Sequence, residues 1–82
     1  MRKSFEIHSG HRVECGEPVK TNDGKYAASV TIRKVGDRQR AVVFFLSHEY
    51  MRPMESEETA RDYALAWGGG WVAMQKGKLL PL

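Results

Sequence analysis

The side chains able to carry chemistry are few in this chain and poorly spaced for it. Four residues are candidate metal ligands: His8, His11, Cys15 and His48. A structural zinc site takes paired ligands at both of its ends. Only the N-terminal end is paired here, so the histidines read as solvated near a loop and Cys15 as a small buried hydrophobe. Ser47-His48-Glu49 holds three residue types of a hydrolase relay, but neighbours on an extended chain point to alternate faces and cannot line up. Cys15 has no adjacent helix N-terminus or base to make it a thiolate nucleophile. Gly68-Gly69-Gly70 has the glycines of a phosphate loop in the wrong order, because such loops precede a helix and these follow a helical stretch. No catalytic residue, metal site or cofactor emerges. The expectation is a non-enzymatic binding or interaction protein.

Charge offers one surface signal. The net charge is +3, and residues 33–40 hold Arg33, Lys34, Arg38 and Arg40 against Asp37, so that segment alone carries the excess. A basic hairpin is a candidate anion or nucleic-acid site, and also a common way to keep a sheet edge from pairing. A single cysteine excludes an intramolecular disulfide framework and suits a reducing compartment. No run approaches the roughly 20 apolar residues of a membrane span, and the N-terminus lacks a secretory apolar core. These features predict a cytoplasmic protein that does not enter a membrane.

The elements that must position these residues follow from hydrophobic period. With 82 residues there is room for one domain, placed at 1–75 with a basic-apolar tail at 76–82. Phe5 and Ile7 alternate with Ser4, Glu6 and His8 as a half-buried strand. Val13, Cys15 and Val19 continue that parity through a second strand, in which Pro18 marks an edge or bulge. A three-residue turn, Ser9-Gly10-His11, would set Ile7 against Val13 and Phe5 against Cys15, whereas a two-residue turn would mix the faces; the parity favours three. Asn22-Asp23-Gly24 is a turn, followed by a third strand over about 25–35 and, after Gly36-Asp37, a fourth to about Ser47. That hairpin is predicted to pair Arg33 with Arg40, Ile32 with Ala41, Val30 with Val43 and Ala28 with Phe45. Its core face would then hold Tyr26, Ala28, Val30, Ile32, Ala41, Val43 and Phe45.

The opposite face would carry Val42, Phe44 and Leu46, an apolar stripe in need of cover from the N-terminal strands, a partner chain or a ligand. As an edge strand, Ala41 to Leu46 is a pairing template, and a two-fold dimer burying Val42, Phe44 and Leu46 is one way to protect it. Closure by the first strand is another. Beyond a polar loop, Ser56 is an N-cap with Glu57 and Glu58 in the first turn. Ala60, Tyr63, Ala64, Trp67, Trp71 and Met74 share one stripe at helical spacing. Trp71 and Met74 return in phase across the three glycines, which favours a helix that passes through them, thinned or kinked there, over a helix that ends at Gly68 and is followed by a short strand from Trp71 to Gln75.

The strand entry Gly24-Lys25-Tyr26-Ala27-Ala28, the hairpin after it, and Ser56-Glu57-Glu58-Thr59-Ala60-Arg61 leading to Tyr63-Ala64-Leu65-Ala66-Trp67 and Trp71 resemble a loose group of small uncharacterised proteobacterial proteins, some carried by prophages. The resemblance spans most of the chain by pattern. In the similar proteins the spacer between the two tryptophans is made of helix formers, where this chain has Gly68 to Gly70. The resemblance implies a fold and no activity. Together these readings predict an α+β domain: a two-layer arrangement of a four-stranded antiparallel β-meander packed on one C-terminal α-helix. Its expected partner is a protein, a second copy of itself, or nucleic acid at residues 33–40.

Overall fold

The computed structural model describes residues 4–36 and 41–78. Six strands precede one helix: β1 (Phe5–His8), β2 (His11–Cys15), β3 (Val19–Lys20), β4 (Tyr26–Ala27), β5 (Val30–Lys34), β6 (Val42–Leu46) and α1 (Glu57–Lys78), with a short 3-10 turn at His48–Tyr50. β1, β2, β5 and β6 form an antiparallel four-stranded sheet in that order, and β3 pairs with β4 in a small separate hairpin. The predicted α+β class and its sheet-on-helix layering are present. No helix among the described residues is long and apolar enough to cross a membrane.

Local chemistry explains where the elements start. The Asn22-Asp23-Gly24 turn closes as Gly24 N–H donates to Thr21 O at 3.0 Å and Lys25 N–H to Thr21 Oγ1 at 3.1 Å. Gly24 there has φ +78°, a conformation that side chains disfavour. At the start of α1, Thr59 N–H donates to Ser56 Oγ at 3.1 Å, which satisfies one of the helix's orphan amides. The long third strand of the sequence reading is broken in two. Tyr26 leaves the main sheet to exchange hydrogen bonds with Met54, N–H to O at 2.8 Å and 2.6 Å. The second strand is likewise shorter than expected: it ends at Cys15, and Val19 lies exposed in β3.

The helix runs unbroken through all three glycines, and packing gives the reason. A Cβ on Gly68 would overlap Val13 Cγ1 and stand 3.0 Å from Val30 Cγ2. Val13 and Val30 are the fully buried centre of the sheet. The ~1 kcal/mol that glycine costs a helix is offset by letting the backbone approach that centre. The buried stripe of α1 is Ala60, Arg61, Ala64, Leu65, Gly68 and Val72, rotated from the predicted one. Met74 is therefore 63% exposed instead of core. Tyr63, Trp67 and Trp71 flank the stripe and pack on the core while half-buried.

Two registers differ from expectation, and each turns a strand over. The β1–β2 turn is the two-residue Ser9-Gly10, with φ +46° and +77°, the left-handed pair of a tight hairpin whose twist matches its strands. It sets Glu6 against Val13 and Ile7 against Arg12. Phe5 and Ile7 thus leave the core face. Glu6 and His8 take it, as a pair 2.8 Å apart, where Gly69 gives His8 room: a Cβ on Gly69 would lie 3.2 Å from its Nε2. In β5–β6, Val30 faces Leu46, Ile32 faces Phe44 and Arg33 faces Val42, with a bulge that leaves Val43 over. The shift from the expected Val30–Val43 pairing is odd, so every β6 side chain beyond the bulge changes face. Phe44 and Leu46 pack on the core and Phe45 points outward.

Candidate interaction surfaces

The predicted basic hairpin is not gathered into one patch within the described residues. Arg33 and Lys34 are consecutive on β5, and successive strand residues face opposite ways. Arg38 and Arg40, with the expected Arg33–Arg40 pair, lie outside the described residues. Arg33 does have an arginine as its cross-strand neighbour, but it is Arg12 of β2. Glu14 bridges the two guanidinium groups, 2.7 Å from Arg12 Nε and accepting from Arg33 Nε at 3.2 Å. One carboxylate thus offsets the like-charge repulsion that would otherwise weaken the sheet there.

The candidate metal ligands are scattered. His8 pairs with Glu6, a ring nitrogen of His11 lies 3.1 Å from Ser9 O, and His48 sits in the 3-10 turn. Among the described residues no three His, Cys, Asp or Glu side chains come together as a metal site. Cys15 is half-buried at the end of β2, its Sγ 3.6 Å from Ser4 O. Burial pushes its thiol above the ordinary value, and the nearby Arg61 opposes this only in part. Arg61 itself is 6% exposed, and its Nη2 donates to Glu17 Oε2 at 3.1 Å.

Two surfaces stand out instead. The first surrounds β6. Phe44 stacks on Trp67 and Trp71, with ring centroids 5.6 Å and 5.0 Å apart. Those tryptophans continue into an open apolar groove of about 420 Å³ lined also by Ala66, Gly70 and Met74. Gly68 and Gly69 are explained by the sheet beneath them, but a Cβ on Gly70 would meet nothing within 4 Å. Around the strand's other side Val42, Val43 and Phe45 are exposed. β6 borders the described sheet, so apolar surface flanks, from both layers, an edge that no described strand pairs.

The predicted interface residues Val42, Phe44 and Leu46 therefore do not share an outward face. Val42 is exposed, whereas Phe44 and Leu46 belong to the core layer, and Val43 and Phe45 take their expected place. Closure of the sheet by the first strand does not occur either, since β1 borders the opposite side.

The second surface is the sheet face turned away from α1. Register places Phe5, Glu14, Thr31 and Phe45 in one row across the four strands and Ile7, Arg12, Arg33 and Val42 in the next. Each row is apolar at its ends and polar at its centre. The Arg12 guanidinium lies 3.9 Å over the Phe5 ring, a cation–π contact. Sequence reasoning missed this surface because it follows from the short Ser9-Gly10 turn and the β6 bulge; the two consecutive turn residues able to adopt positive φ were its visible signal. Comparison with models of known protein families, with curated proteins and with solved structures finds no match to this chain.

Proposed function

We propose that this chain is a non-enzymatic interaction protein that works as a two-fold dimer joined through β6. The observation that supports it is an uncharged edge strand, paired on its outer side by no described strand and set inside apolar surface on both of its sides. Antiparallel pairing of β6 with the partner's β6 satisfies the outward amides and carbonyls of both strands and makes one continuous sheet. A two-fold axis normal to the sheet puts both helices on the same side. Each groove at Trp67, Gly70, Trp71 and Met74 then faces the partner's helix, and the bare Gly70 lets the two backbones approach.

Sedimentation of the full chain at micromolar concentration tests this. The expected species has a mass near twice 9.3 kDa, and Val43→Lys, which puts a charge on the exposed edge, should give a folded monomer. A wild-type protein that stays monomeric as concentration rises overturns the reading.

A further inference from the structure

We propose that the sheet face opposite α1 binds single-stranded nucleic acid, with Phe5 and Phe45 stacking on bases and Arg12 and Arg33 holding phosphates. The starting point is the composition of the two cross-strand rows. Their apolar ends are Phe5, Ile7, Val42 and Phe45, between 41% and 57% exposed. Their centre holds two guanidinium groups on either side of the one carboxylate of Glu14, so among the described residues the middle of the face has more cationic than anionic side chains.

An occupant must therefore be anionic and must also offer flat apolar groups to two aromatic rings. Phe5 and Phe45 stand in one row at opposite borders of the sheet, three strand spacings or roughly 14 Å apart. A single strand supplies both requirements at once, a phosphate and an unstacked base per nucleotide, and base–aromatic stacking tolerates any sequence. A duplex hides its base faces, and an open sheet face is too broad to enter a groove. A second copy laid face to face would bring the same cation excess against itself. The Arg12 guanidinium already stacked on Phe5 extends that platform toward the phosphates. This inference does not rest on the dimer: Phe5, Glu14, Thr31 and Phe45 stand in one row within a single chain.

The test is fluorescence anisotropy of labelled oligothymidylate and oligouridylate, about 10 nucleotides long, titrated with the full chain. Binding should weaken about tenfold between about 50 mM and 200 mM salt, as release of two or three counterions from a single strand requires. It should exceed binding of a duplex of the same length and of polyglutamate. Phe5→Ala and Phe45→Ala should each weaken it by about fivefold to a hundredfold. Phe5→Trp, which keeps an aromatic face, should bind like the wild type and shows that the loss is not one of folding. The proposal is overturned by the absence of saturable binding at low salt, by equal binding of duplex or polyglutamate, or by alanine variants that bind unchanged.

Discussion

β1 and β6 both border the sheet, yet they are composed as if for different neighbours. β1 is four residues long, with Glu6 and His8 paired at 2.8 Å along one side. β6 reads Val42-Val43-Phe44-Phe45-Leu46 without a charge, and only its bulge at Val43 disturbs the pairing geometry. Edge strands of monomers are blunted by shortness, charge or irregularity, because bare amides and carbonyls recruit other strands. β1 meets those requirements and solvent is a sufficient neighbour for it. β6 meets them poorly, and the groove beside it on α1 extends the same surface into the second layer. The difference teaches that exposure alone does not mark an interface. What sets β6 apart, and what the proposed dimer uses, is apolar surface coincident with an edge that no described strand pairs.

The glycines of α1 sharpen this contrast most strongly, because they separate an intrachain constraint from a bare surface. Gly68→Val should destabilise the fold by about 2 kcal/mol despite the better side chain for a helix, since the new atoms must displace Val13 and Val30 at the sheet centre. Thermal melts would show the loss. Gly70→Ala has open space around its new Cβ and should raise the stability of the isolated subunit by up to about 1 kcal/mol. If α1 packs on its partner there, the same change should weaken association, and melts at low and high protein concentration would separate the two effects.

Cys15 probes the β1 side by a smaller effect. Its thiol is pushed up by burial beside Ser4 and β2, so at neutral pH it should react with alkylating reagents more slowly than an exposed thiol. The folded state holds that proton to higher pH than the unfolded chain does. Its contribution to stability is therefore complete below the ordinary value of 9.0 and is lost as pH rises through the folded value. Denaturant melts on either side of that pH should show a modest decline that Cys15→Ser abolishes.

Much of the fold was legible because local signals and packing agreed. Asn22-Asp23-Gly24 marks its turn, Ser56 caps its helix, and the return of Trp71 in phase with Trp67 carries α1 through the glycines. Register was not legible at either hairpin. A one-residue change in the Ser9-Gly10 turn exchanges Phe5 and Ile7 for Glu6 and His8, and the sequence parity favoured burying the apolar pair. What decides otherwise is the twist of a two-residue left-handed turn together with Gly69, which leaves a polar pair room at the sheet's border. In β6, consecutive apolar residues carry no period to read. The choice of Phe44 over Phe45 for the core is made by the distant rings of Trp67 and Trp71. The outer-face rows depend on both registers, so Arg12 and Phe45 gave no sign of sharing a surface.

Amide hydrogen exchange along β6 tests the dimer most directly. On an edge strand the amides that are not bonded to the neighbouring strand point away from it, and in the proposed dimer those of β6 are bonded to the partner's β6. The account predicts that these amides exchange slowly at concentrations where the dimer is populated, and that their protection falls on dilution or in Val43→Lys while the amides bonded to β5 stay protected. Outward amides that exchange at the rate of exposed backbone at every concentration would contradict it.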